Sequence, residues 1–178
     1  GYTVETAIAD LIDNSIAAEA TEENVIFYWD TNNPYIAITD NGWGMTDSEL
    51  IDALNLSIKN PNEKRNIKDL GRFGLGLKTA SFSQCKIVTV SSKKRGSIST
   101  YRWDLNELAN APAEQGLFLI KGPNNPNIKE LNTLANSKHG TVVVWEDLDR
   151  IVSKNMSYDH FCAIIETVSI HLSMVFHN

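Results

Sequence analysis

The sequence predicts an α+β domain, and three observations carry that prediction. Apolar residues recur at helical spacing near both ends of the chain, over Thr3–Ala20 and Ser157–Val175. Between them lie two pairs of strand-like stretches, each pair joined by turn-forming residues, which read as hairpins. A further apolar run, His139-Gly-Thr-Val-Val-Val-Trp145, suits a central strand. The 178 residues suggest one domain, 1–178, with a sizeable core. The first residues already look helical, so the chain is expected to be part of something longer.

The opening helix, Thr3–Ala20, carries Ile8, Leu11, Ile12 and Ile16 as its apolar stripe, with Thr3 or Glu5 to open it. Asp10 and Asn14 stand four apart and share a face. They serve either as ordinary boundary polar groups or as the lining of a cleft. In the second case Asp10 polarises a water and Asn14 offers a carbonyl oxygen to Mg²⁺, a hard cation that prefers oxygen.

Asn24–Asp30 and Tyr35–Asp40 form the first hairpin, turning at Thr31-Asn-Asn-Pro34. Asp40-Asn-Gly-Trp-Gly-Met45 follows directly. A carboxylate closing a strand beside a glycine-bent loop suits a ligand edge that donates hydrogen bonds, such as the exocyclic amine of adenine. An Asp-Asn-Gly β-turn satisfies the same residues. Thr46-Asp-Ser-Glu49 matches a capping box for a short helix through Leu50, Ile51 and Leu54.

Ser57–Asp69 is polar and rich in lysine and asparagine, and reads as a loop. Its Lys59, Lys64, Arg65 and Lys68 form either a solvated face or a lid over a phosphate tail. The loop runs into Gly71-Arg-Phe-Gly-Leu-Gly-Leu-Lys-Thr-Ala-Ser81. Glycines before a helix allow close backbone approach, and the helix tip carries unsatisfied N–H groups and partial positive charge. That combination binds anions, phosphate above all. The stretch is neither a Walker A loop, because Leu77 stands where the lysine must be, nor the dinucleotide fingerprint, because Thr79 takes the third glycine position. By itself it also fits a tight turn before a core helix.

A helix is expected over Leu77–Ser83, then a second hairpin of Lys86–Ser91 and Ser97–Trp103 turning at Lys93-Lys-Arg-Gly96. A short helix over Asp104–Asn110, a strand over Gly116–Lys121 and a loop over Gly122–Asn127 follow. Ile128–Leu134 reads as either helix or strand. The closing helix carries Phe161, Ile164, Ile165, Val168, Leu172 and Val175 on one stripe.

The net charge of −6 does not indicate a nucleic-acid face. No apolar run is long enough for a membrane span, and no signal peptide is visible. Cys85 and Cys162 sit in apolar surroundings and read as buried thiols, in keeping with a reducing cytoplasm. His139, His160, His171 and His177 make no metal-ligand pattern with the cysteines, and a structural role or exposure is expected for them.

Four signals thus occur in order: Asp10-Leu-Ile-Asp-Asn14, Asp40-x-Gly-x-Gly44, the glycine stretch Gly71–Gly76, and Gly140-Thr141. That order, over roughly residues 5–145, resembles the GHKL ATPase superfamily, and its wording looks nearest to members beside the Microrchidia, heat-shock chaperone and MutL branches. The resemblance implies the Bergerat fold, a two-layer α+β sandwich with a mixed, mostly antiparallel sheet and helices on one face. It implies ATP as substrate, with Mg²⁺, and a lid at about 57–76. Residue by residue it implies that Asn14 binds Mg²⁺ and that Asp40 reads the adenine amine. Gly42 and Gly44 then shape that wall, Met45 lies beside the base, and Gly71, Gly74 and Gly76 meet the phosphates. Leu77 belongs to the nucleotide site, Lys78 contacts phosphate, and Thr141 supports the adenine-side hydrogen bonds. Asp10 stands where the hydrolysing branches usually place a glutamate base. Aspartate is one methylene shorter, so it acts either directly, through a water, or slowly. Several relatives add a γ-phosphate lysine or arginine from a following domain, so weak hydrolysis by this chain alone is expected. The functions implied are ATP hydrolysis driving conformational change or nucleotide-dependent homodimerisation in the cytoplasm, the catalytic domain of a histidine kinase, or a nucleotide-binding regulator without turnover.

Overall fold

The computed structural model describes residues 2–55, 73–110, 119–153 and 156–176. Among these, the elements in chain order are α1 Val4–Ala17, β1 Glu23–Tyr28, β2 Tyr35–Asp40, α2 Asp47–Leu54 and α3 Phe73–Phe82. They continue with β3 Ile87–Lys94, β4 Ser97–Asp104, α4 Leu105–Asn110, β5 Ile120–Lys121, α5 Lys129–Thr133, β6 Gly140–Glu146 and α6 Tyr158–Val175. The strands form one sheet in the order β1-β2-β6-β3-β4-β5. Every described pairing is antiparallel.

Local chemistry sets several of these boundaries. Thr3 caps α1, its hydroxyl accepting from the Thr6 N–H at 3.4 Å. The Thr46/Glu49 capping box is formed: the Thr46 hydroxyl accepts from Glu49 N–H and the Glu49 carboxylate accepts from Thr46 N–H at 2.8 Å. The second hairpin turns on two residues, Arg95 and Gly96, with φ of 53° and 82°. That primed geometry matches the twist of the flanking strands. Lys93 and Lys94, expected in the turn, are therefore the last residues of β3.

α3 begins at Phe73, a turn earlier than expected, so Gly74 and Gly76 lie within its first turns. Glycine in a helix costs about 1 kcal/mol relative to alanine, and packing of α3 against α1 outweighs it. The open segment Ile128–Leu134 contains the helix α5.

β6 is central, between β2 and β3. Its side chains alternate between two apolar clusters. Val143 and Trp145 join Ile36, Ile38, Val88 and Val90 beneath α1 and α3. Val142 and Val144 join Tyr35, Ala37, Ile128 and Leu134 on the opposite face. The main helices thus pack on one face, as expected, and α5 with its flanks covers part of the other. Trp145 is fully buried, and its indole N–H donates to Ser81 Oγ at 2.8 Å, tying α3 to the sheet. α6 packs through Phe161 and Val168. Val175, expected on its stripe, is 52% exposed; Leu172 and Phe176, four residues apart, make the core contact at that end instead.

Candidate functional site

The register of β2, β6 and β3 arranges side chains in rows across the sheet. Asp40 pairs with Thr141 and Thr141 with Ser92, so these three polar side chains form one row on the face beneath α1 and α3. Ile38, Val143 and Val90 form the next row. An apolar floor thus ends at a polar rim. Leu11, Asn14, Ser15 and Ala18 wall the space from α1, Leu77 from α3, and Gly44 and Met45 from the loop after β2. The cleft so bounded opens to solvent.

Among the described residues of that lining, Asp40 is the one ionisable side chain. Its Oδ1 accepts from Gly42 N–H at 2.8 Å and its Oδ2 from the Ser15 hydroxyl at 3.2 Å. Burial raises its pKa above the ordinary carboxylate value, while the bonds from Gly42, Ser15 and the Thr141 backbone pull it back. The result is an oriented carboxylate at an apolar wall.

The loop after β2 is held from every side. The Asn41 side chain accepts from the Thr21 and Glu22 N–H groups at 2.8 and 3.1 Å. Trp43 N–H donates to the Ala18 carbonyl at 3.0 Å, and His139 Nδ1–H donates to the Gly42 carbonyl at 2.6 Å. A Cβ on Gly42 would lie 2.8 Å from that Ala18 oxygen, and one on Gly44, whose φ is +65°, would lie 2.0 Å from the Lys93 carbonyl. Only glycine lets the loop pass between α1 and β3.

Next to this loop lies a hydroxyl pair. Ser92 is fully buried. Its Oγ accepts from Met45 N–H at 2.8 Å and stands 3.0 Å from Thr141 Oγ1 and 3.1 Å from the Gly140 carbonyl.

The structure brings together Asn14, Asp40, Gly44, Met45, Leu77 and Thr141 around the one cleft. Gly42 is not part of that lining and acts on it through its N–H, which donates to Asp40. Among the described residues, nothing lies within 4 Å of a Cβ placed on Gly76. Gly74 lies in α3. Gly71, most of the expected lid and its Lys59, Lys64, Arg65 and Lys68 lie outside the described residues. Asp10 stands one turn before Asn14, outside the cleft lining, and accepts a hydrogen bond on Oδ2 from the Tyr2 hydroxyl at 2.5 Å.

Lys78 does not go where the sequence places it. Its ammonium donates to the Asn55 carbonyl behind α2 and lies 5.5 Å from the centre of the Trp103 ring. One residue advances a helix by about 100°, so with Leu77 facing the cleft Lys78 turns into the body of the protein. Burial there lowers its pKa.

Two polar residues escaped the sequence reading. Ser15 was findable: Leu11, Asn14, Ser15 and Ala18 follow helical spacing and form one face. Ser92 was not, because its place beside Thr141 depends on the pairing of β3 with β6.

The profile of the family described as histidine kinase-, DNA gyrase B-, and HSP90-like ATPase matches residues 2–141. A chaperone protein HtpG of Natranaerobius thermophilus is 34% identical over 105 residues, covering 53% of this chain and 16% of the chaperone. The ATPase morc-1 of Caenorhabditis elegans is 31% identical over 94 residues, covering 53% of this chain and 11% of that protein. A second HtpG, of Alkaliphilus metalliredigens, is 34% identical over 113 residues, covering 54% of this chain and 18% of the chaperone. The match therefore spans less than a fifth of each of these relatives.

Proposed function

We propose that this chain, which belongs to the histidine kinase-, DNA gyrase B-, and HSP90-like ATPase family, binds Mg·ATP and hydrolyses it to drive a conformational change or dimerisation of a larger protein. One observation carries the ATP reading: an oriented carboxylate and a hydroxyl stand side by side at the rim of an apolar cleft. Adenine has flat apolar faces, and one of its edges presents an amine donor beside a ring-nitrogen acceptor. Asp40 accepts from the amine, and Thr141 donates to the neighbouring nitrogen directly or through a water. The triphosphate then runs past Asn14 toward Gly76 of α3, where a Cβ would meet nothing within 4 Å among the described residues.

The donor set suits magnesium held largely by the nucleotide. Among the described residues no three His, Cys, Asp or Glu side chains gather as a metal cage. Mg²⁺ is usually held by one or two protein oxygens together with substrate phosphates and waters. The Asn14 amide oxygen is such a donor. When bound, the ion neutralises charge on the phosphates. In this reading Asp10, a turn away on the same helix, accepts a proton from the attacking water, and the Tyr2 hydroxyl donates to its carboxylate.

A nucleotide-binding regulator without turnover is the second reading, favoured by Asp10 lying outside the cleft lining with one oxygen engaged by Tyr2. Calorimetry with ATP and GTP in the presence of Mg²⁺, and phosphate release by the full-length protein, test both readings. ATP binding well above GTP, with phosphate release, is expected. Equal affinity for the two nucleotides would overturn the adenine assignment. Tight binding with no release would establish the second reading. Labelled phosphate retained on protein would make it a kinase.

A further inference from the structure

We infer that Ser92 is a positioning residue that lets Thr141 face the cleft either as a hydrogen-bond donor or as an acceptor, and so sets how strictly the site reads the base beside Asp40. The inference rests on the ATP reading and adds a specificity determinant to it. Ser92 does not line the cleft.

A serine hydroxyl donates once and accepts twice. Met45 N–H occupies one Ser92 lone pair. The single Ser92 proton has two acceptors at nearly equal distance, Thr141 Oγ1 at 3.0 Å and the Gly140 carbonyl at 3.1 Å. If it goes to Thr141, the Thr141 proton is free for the cleft, and a base with an unprotonated ring nitrogen is matched. If it goes to Gly140, Ser92 can accept the Thr141 proton, and Thr141 shows the cleft only lone pairs. A base whose ring nitrogen carries a proton is then matched. No backbone or side-chain movement separates the two arrangements, only rotation of two hydroxyl protons. Full burial of Ser92 keeps water from supplying the same relay.

Replacing Ser92 by alanine removes the acceptor that takes the Thr141 proton. Thr141 then keeps its proton toward the cleft and opposes any ring N–H placed there. The measurement is the ratio of affinities, by calorimetry with Mg²⁺, for ATP and for isoguanosine triphosphate. The latter keeps the amine that Asp40 reads but carries a proton on the adjacent ring nitrogen. Loss of the Met45 N–H partner affects both nucleotides alike and cancels in the ratio. In Ser92→Ala the preference for ATP is expected to rise roughly 10- to 100-fold over wild type, the range for opposing two buried donors, and Ser92→Thr is expected to restore the wild-type ratio. If Ser92→Ala does not fold, Ser92→Cys, whose thiol accepts only weakly, is expected to shift the ratio in the same direction. Retained ATP binding with an unchanged ratio would overturn the relay and leave the ATP reading standing. No ATP binding by the wild type would overturn both.

Discussion

Replacing Asp40 by asparagine separates the cost of the site from its use. The hydrogen bonds around residue 40 accommodate the change. An asparagine oxygen can accept from Gly42 N–H as Asp40 Oδ1 does, and its NH₂ can donate to Ser15 Oγ, whose one proton, given to Asp40 in the wild type, is then free for the Leu11 carbonyl at 3.3 Å. The fold is therefore kept, but the cleft gains a donor where ATP presents its amine. A hydrogen bond to a charged group contributes about 1.5–3 kcal/mol, so ATP affinity should fall roughly 10- to 150-fold. Inosine triphosphate carries an acceptor oxygen in place of the amine, and its preference relative to ATP should rise by about tenfold or more. Stability moves the other way. Burial raises the Asp40 pKa, so the folded protein holds a proton at a pH where the unfolded chain has lost it. Wild-type stability falls as pH rises through the window between the ordinary and the raised value, and the loss is complete above it. Asparagine carries no such charge. The thermal midpoint of the unliganded variant should exceed that of the wild type at neutral pH, and the difference should shrink on acidification through that window. Calorimetry with both nucleotides and thermal unfolding across pH read these effects. A folded Asp40→Asn protein with undiminished ATP affinity would refute the adenine assignment.

Three further outcomes follow from the same geometry. Asp10→Asn can still accept from the Tyr2 hydroxyl, so it should bind ATP as wild type does and release no phosphate; unchanged turnover would remove Asp10 as the base. Gly44→Ala places a methyl 2.0 Å from the Lys93 carbonyl at a φ of +65°. The backbone conformation alone costs about 1–2 kcal/mol, so a lowered thermal midpoint with loss of nucleotide binding is expected. Lys78→Met should leave ATP affinity unchanged, because the ammonium faces Asn55 and Trp103 rather than the cleft; a large loss by calorimetry would show that Lys78 does reach the phosphates.

Much of this protein was legible in its residues, because the relevant physics is local. The helical spacing of α1, the capping box before α2, and a carboxylate closing β2 beside a glycine-bent loop each follow from a few consecutive side chains. The pattern also marked Gly42 and Gly44, though not the Ala18 and Lys93 carbonyls that forbid a side chain at either position. Where α3 starts was not legible, since glycine reads as a helix breaker until packing on α1 holds it helical. Nor was the direction of Lys78, which depends on the phase of that helix against the sheet. Within a strand, alternation shows which residues share a face, and Val88, Val90 and Ser92 could be grouped that way. Which strand lies alongside, and in which register, is settled by burying two apolar faces of β6 at once, a requirement that spans residues far apart in the chain. That register alone sets Asp40, Thr141 and Ser92 side by side.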